Sequence, residues 1–351
     1  PVVDADLRSD GGDLVFPAPG TVPAEGKLSG AMMAGINMKS ATSWMTLGVL
    51  VMFAVMPFLA PALGEPFYVK VFARVMIWSI AAISLNLIMG YGGMISFGHA
   101  VFLGIGGYSI GIASTHGLDN AWIQWPLAIG VCAVVGLIFG VISLRTRGVY
   151  FIMITLALAQ MIFFLSVSAE QYGSDDGLNI WQRSEFGVAW FDLENALTMY
   201  YVIFAFLVAA LFAMWRIVNS RFGLVVRGSR SNDLRMQAVG FPTYRYRLTA
   251  FVIAGVMCGI AGILQANFEK FVSPDMMNWP VSGELIFMVV LGGMGTLIGP
   301  VVGALVFLLL SEVLKDITEH WHIIFGPFLV LVVLFARGGV VGLLTTGVSR
   351  E

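Results

Sequence analysis

"GELIFMVVLGGMGTLIGPVVGALVFLLL", residues 283–310, is apolar nearly throughout, yet Gly292, Gly293, Gly295, Gly299 and Pro300 interrupt its middle. A helix that crosses a bilayer needs about 20 mostly apolar residues. The run is too long for one ordinary span, and glycine with proline is where an apolar helix breaks. It reads as two shorter helices that meet at a break, a form tolerated at membrane depth where the freed backbone is buried in protein or lines a cavity. The charges beyond it agree. With one continuous span, the acidic stretch 311–320 falls on the cytoplasmic side and Arg337 outside; with the break, both signs obey the positive-inside rule.

Working outward, the 351 residues are 58% hydrophobic and only 11% charged. Their mean hydropathy is +0.87. This lies far from soluble composition and marks a polytopic membrane protein. The net charge of −2 says little about partners, because in such a chain the distribution of charge over loops matters more than its sum.

Further apolar runs predict spans at 42–63, 70–89, 93–114, 122–144, 148–168, 197–217 and 248–266, and a last one at 322–337. With the broken pair, the expected fold is all-α, with about ten transmembrane helices. Arg145 and Arg147 mark one cytoplasmic turn, and 218–247 marks a larger cytoplasmic loop. Segment 169–196 carries Glu170, Asp175, Asp176, Glu185, Asp192 and Glu194 against Arg183 alone, so it is expected outside, as is the acidic 267–282. Both termini then lie in the cytoplasm. The second span opens awkwardly, with Lys70 and Arg74 in its first turn.

Residues 1–41, with Asp4, Asp6, Asp10 and Asp13, show no apolar periodicity and are expected to form a flexible cytoplasmic tail. They lack the basic and apolar regions of a cleaved signal, so insertion is expected to rely on the first span. The transmembrane domain is placed at 42–344 and a short tail at 345–351. "GGM" at 92–94 returns at 292–294, each opening a Gly-rich helix, which fits an inverted five-plus-five repeat.

Cys132 and Cys258 fall inside apolar runs and read as small core residues, so neither a disulfide nor a metal site is expected. Nor is a cofactor or a nucleic-acid partner. His99 is the ionisable residue near the middle of a span, where such groups face a bundle interior or an aqueous path; a clamp to a neighbouring helix is the alternative. Glu284 sits at the start of a broken helix, where the helix dipole favours an acid whatever its function. Gly292, Gly293 and Gly295 either allow close helix approach or leave backbone free to line a path.

The most polar stretch is "RFGLVVRGSRSNDLRMQAVGFPTYRYR", 221–247, with six arginines, no lysine and Asp233 as its lone acid. Arginines between two spans hold a loop in the cytoplasm. In addition, Ser231 or Asn232 can cap a short helix that Gly240 and Pro242 stop, with Leu234, Ala238 and Phe241 as an apolar stripe beside Arg235. Such a helix rests on membrane lipid or inserts into a groove of another protein.

Three stretches then resemble a known family, the LivM-type membrane subunits of ATP-binding-cassette importers for branched-chain amino acids. "SLNLIMGYGGMISFGHAVFLGIGGYSIGI" (84–112) resembles its first signature, with Ser96, Gly98, His99, Phe102 and Tyr108 in place. "RTRGVYFIMITLALAQ" (145–160) is similar to the second, and "FVSPDMMNWPVSGELIFMVVLGGMGTLIGPVVGAL" (271–305) to the third and most specific. "YGSDDGL" (172–178) departs from the family's more usual Thr-Gly-Gly before Asp-Gly-Leu.

The resemblance implies a permease of the bacterial inner membrane. Its helix Asp233, Leu234, Arg235, Met236, Ala238 to Gly240 would rest on an ATPase subunit, although the family's alanine pair is only loosely matched there. Ser96, His99, Glu284, Gly292, Gly293 and Gly295 would belong to the translocation path. Implied partners are a second homologous permease, two ATP-binding-cassette ATPases and a periplasmic solute-binding protein. The chain carries no phosphate-binding loop of its own, since the pair Gly26–Lys27 runs into Leu28, so it is expected to be no enzyme. Branched-chain amino acids, urea and amides all remain open as substrates. A stand-alone secondary transporter or channel is the alternative, against which the scarcity of charged groups in the spans counts.

Overall fold

The computed structural model describes residues 41–62, 67–187, 193–317, 320, 323, 325–327, 330 and 338–346. Most of the expected span 322–337, and the two tails apart from residues 41, 345 and 346, lie outside these.

Helices follow the apolar runs closely. They are α1 (Ala41–Ala62), α2 (Phe67–Asn86), α3 (Ala100–Thr115), α4 (Ala121–Ser143), α5 (Val149–Val167), α6 (Ala196–Val218), α7 (Arg221–Ser231), α8 (Asp233–Ala238), α9 (Thr243–Glu269), α10 (Trp279–Gly292), α11 (Gly299–Ile317) and α12 (Gly339–Thr346). Among the described residues, five helices are long and apolar enough to cross a bilayer unaided: α2 with its extension to Tyr91, α4, α5, α6 and α9. Trp44–Leu59, Ala100–Thr115 and Trp279–Gly292 are shorter apolar helices. The chain is an all-α polytopic membrane protein. The break appears where the glycines predict it, between Gly292 and Gly299.

Three expectations are corrected. The span expected at 93–114 begins only at Ala100, because the chain leaves helical geometry after Gly92, with Gly93 at φ +70°. Apolar residues continue through this stretch, so hydropathy alone does not register the interruption. The span at 70–89 continues as a wider π-helical turn, Leu87–Tyr91. The span at 248–266 starts at Thr243 and ends at Glu269 as a helix of 27 residues, so the end of the arginine segment is part of it.

The bundle is built around α2 and α9. Of the most apolar stretch of α2, 89% is buried, against 17% for α5, whose sides are left to whatever surrounds the chain. α9 packs on α2, α3 and α4, while α11 packs on α2 and α10. The α3–α9 seam depends on glycine. A Cβ on Gly106 would run into the Gly259 backbone, and one on Gly262 into the Leu103 backbone. Small residues that let backbones approach are the usual basis of helix association in lipid, where apolar burial gives no preference for protein over acyl chains.

At one end of the bundle, the segment before α6 is tied to the loop after α9. Leu178–Asn179 (β1) pairs antiparallel with Phe271–Val272 (β2), Leu178 opposite Val272. Arg183 donates from Nε to the Asn267 carbonyl at 2.8 Å and from Nη1 to the Leu193 carbonyl at 2.6 Å. Lys270 grips both Glu194 oxygens at 2.9 and 2.7 Å. That hydrogen-bonded ammonium holds the Glu194 carboxyl below the ordinary carboxylate range.

Candidate functional site

The arginine segment folds into two helices. Ser220 caps α7 by accepting from the Gly223 N–H at 3.3 Å. Val225, Val226 and Ser229 are buried, while Arg221, Arg227 and Arg230 stay on the outer side. Asn232 is the cap of α8, its Oδ1 taking the Arg235 N–H at 2.9 Å. Gly240, at φ +99°, supplies the left-handed exit that ends this helix.

The six residues named for docking divide in two. Asp233 turns inward, its Oδ2 accepting from Arg147 at 2.5 Å and from Gln237 Nε2 at 3.1 Å. Met236 folds back, with its sulfur beside Gly228. Leu234, Arg235, Ala238 and Gly240 are exposed, Leu234 at 72%, and Val239, unremarked in the sequence, joins them at 69%. α8 is thus pinned to the Arg145–Arg147 turn and presents Leu234, Ala238 and Val239 as an exposed apolar surface among the described residues.

α7 also reaches into the membrane part. An Arg230 Nη1 N–H donates to the carbonyl of Gly90 in the π-helical turn. Across that turn lies the second break. Buried Asn86 donates from Nδ2 to the Thr296 carbonyl at 2.8 Å and accepts from the Gly295 N–H at 2.9 Å. One amide side chain therefore satisfies two backbone groups freed by the break between α10 and α11. Within that break, Thr296 Oγ1 donates to the Gly293 carbonyl at 2.8 Å and accepts from the Gly299 N–H at 3.1 Å.

The glycines here are closely packed. Gly292 faces the backbone of Gly299 and Gly303, and Gly293, at φ +118°, has the Gly338 carbonyl 2.6 Å from where a Cβ would stand. Gly295, at φ +76°, faces the Gly90 carbonyl. His99 is buried just before α3, with Nε2 2.8 Å from Ser84 Oγ on α2. Ser84 Oγ also lies 2.6 Å from the Ala81 carbonyl, so one hydroxyl joins the imidazole to α2. Ser96 Oγ accepts from the Gly98 N–H at 3.3 Å.

The residues named for a path fall into two groups among the described residues. Ser96, His99, Gly292, Gly293 and Gly295 serve the two helix interruptions. Glu284 stands apart, on a cavity of about 530 Å³ framed by α2, α9, α10 and α11, beside Arg74, Gln265, Glu269 and Lys315. This cavity lies at the end of the bundle opposite α8. α9 leads from one to the other over 27 residues, about 40 Å at 1.5 Å per residue.

Comparison with known proteins decides what kind of bundle this is. Residues 67–337 match the family described as "Branched-chain amino acid transport system / permease component". The chain belongs to this family. It is similar to the high-affinity branched-chain amino acid transport system permease protein LivM of Salmonella typhimurium, at 26% identity over 81% of this chain and 73% of that one. To LivM of Escherichia coli the identity is 27%, over 75% of this chain and 67% of that one. To LivH of Salmonella typhimurium it is 26%, over 76% and 91%. No solved structure matches the chain.

Two residues that organise this permease escaped the sequence reading. Asn86 lies inside the first signature, and its signal was a polar side chain in the midst of an apolar run, which in lipid must find partners. Arg230 is one arginine among six, and nothing local distinguishes it from its neighbours.

Proposed function

We propose that this chain is the transmembrane permease subunit of an ATP-binding-cassette importer for branched-chain amino acids or a related small polar solute. It forms the translocation path with a second, homologous permease. Two separate ATPase subunits drive it, and a periplasmic solute-binding protein delivers the solute. The similarity to both LivM and LivH, which are named as permeases of one kind of system, supports a pair. The thin coverage of α5 by its own chain leaves room for such a neighbour beside lipid.

The observation that carries the coupling is α8. A capped helix, anchored through Asp233 to Arg147, projects Leu234, Arg235, Ala238 and Val239 as exposed residues among those described. An amphipathic surface held rigid from behind fits a groove on a partner that moves. In this reading Glu284 faces the solute route. Ser96, His99, Gly292, Gly293 and Gly295 shape the helix interruptions beside it.

The test is the double variant Arg235→Glu, Ala238→Glu in the complete transporter. Both side chains are exposed, so the permease should insert and purify at the normal level while leucine uptake falls at least tenfold. Uptake at the wild-type rate would reduce the segment to a topology signal.

A further inference from the structure

Asp233 opens the exposed helix α8, yet its own side chain is only 9% exposed. Three elements converge on it. Arg147 Nη2, from the turn before α5, donates to its Oδ2 at 2.5 Å. Gln237 Nε2, on α8 itself, reaches the same oxygen at 3.1 Å and Thr243 Oγ1, at the start of α9, at 3.2 Å. Arg247, one turn further along α9, is close enough for the charges of both Asp233 and Arg147 to act on it. Among the described residues, neither Asp233 Oδ1 nor Arg247 Nε makes a hydrogen bond. Two guanidinium groups from different elements therefore share one buried carboxylate, and neither can be drawn away without leaving that charge less compensated. The elements that carry them are held very differently. α9 packs on α2, α3 and α4 over a helix of 27 residues, whereas in α5 only Phe151, Thr155 and Ala159 are buried.

From this arrangement we infer that Asp233 and Arg147 are positioning residues that carry a displacement of α8 to the Val149 end of α5, while Arg247 ties the same carboxylate to the firmly packed α9. Arg147 stands two residues before Val149, so the first turn of α5 follows it. Gly148 between them, at φ +62° and with open space where a Cβ would stand, takes a shape that glycine adopts without strain and leaves the helix free to change its tilt. The Thr155 carbonyl of α5 in turn lies against Gly98, in the non-helical stretch before α3, and passes that tilt to it. A carboxylate that only favoured the N-terminus of α8 through the helix dipole would need neither guanidinium.

This inference rests on the importer reading above, and its test separates the two. In the complete transporter, nitroxide labels are placed at Leu127→Cys on α4 and Tyr150→Cys on α5, both exposed positions; Cys132 and Cys258 are buried and stay unlabelled. Pulsed electron paramagnetic resonance reads the distance between the labels without nucleotide and with ATP and vanadate, and leucine uptake and ATP hydrolysis are measured on the same preparation. The doubly labelled parent should show a shift of several ångströms. In Arg147→Gln the shift should vanish and leucine moved per ATP hydrolysed should fall at least fivefold, while Arg147→Lys, which keeps the charge, restores both. Arg145→Gln removes the same charge from the same turn, at an exposed position, and should behave as the parent. Asp233→Asn, which keeps the shape of the side chain, should abolish the shift as well and decides the matter where Arg147→Gln assembles poorly. A shift retained in Arg147→Gln or Asp233→Asn, an equal loss in Arg145→Gln, or uptake with no shift in the parent overturns this inference alone. A shift without leucine uptake overturns the amino-acid reading alone. Neither uptake nor shift in the parent overturns both.

Discussion

At the scale of single residues, Asn86 and Lys270 show two different ways in which a polar group contributes. Asn86 is fully buried and completes two backbone groups of the α10–α11 break. Asn86→Ala leaves the part-buried Thr296 carbonyl and Gly295 N–H unpaired, at up to about 1–3 kcal/mol each. The purified permease should melt several degrees lower, as read by thermal unfolding in detergent. An unchanged midpoint would mean that other groups replace it.

Lys270 is part-exposed, so its pair with Glu194 is worth only about 0–1 kcal/mol. Since the partner carboxyl titrates below its ordinary range in the folded chain, this contribution is complete above the unfolded carboxylate pKa and is lost as pH falls through the lower, folded one. Lys270→Met should therefore lower stability slightly at neutral pH. The difference should vanish in strong acid, which a series of unfolding curves against pH will show.

At the scale of elements, the two "GGM" stretches behave alike. Each ends a helix, at Tyr91 and at Gly292, and in each the second glycine takes positive φ, Gly93 at +70° and Gly293 at +118°. Their neighbourhoods meet through Gly90, Asn86 and Gly295, with Arg230 of α7 on the same Gly90 carbonyl. An α8 moved by a partner would thus reach the first break only through α7, and the second through the first.

The packing at Gly293 gives a prediction. A leucine there must adopt a left-handed φ and place its Cβ 2.6 Å from the Gly338 carbonyl, a strain of about 1–3 kcal/mol or more. Gly293→Leu should lower the yield of assembled transporter. Normal yield and normal ATP hydrolysis with uptake lost would instead show that Gly293 lines the route.

At the scale of the whole molecule, α9 separates the arginine-rich end from the end that holds Glu194, Lys270 and the cavity. The positive-inside rule assigns the former to the cytoplasm. Single cysteines at Asp176 and Ser231, both exposed positions, should react with an impermeant maleimide from opposite sides of the membrane. Cys132 and Cys258 can remain, because both are fully buried. Labelling of both positions from one side would overturn the orientation and the placing of the cavity outside.

What the sequence determined by itself was what short windows of chain carry. The all-α membrane class follows from hydropathy, the break at 292–299 from glycine and proline, and the cap and stop of α8 from Asn232 and Gly240. These features depend on backbone preferences and on the absence of water around each helix, so neighbours a few residues away decide them. The tertiary structure alone decided the late start of α3, the inward turn of Asp233 toward Arg147, the Asn86 bridge to Gly295 and Thr296, and the meeting of Arg74, Gln265, Glu284 and Lys315 on one cavity. In each of these except the first, the partners lie far apart along the chain. No local pattern reveals which polar group in an apolar run will face another, because that depends on how the helices rotate as their glycine seams close.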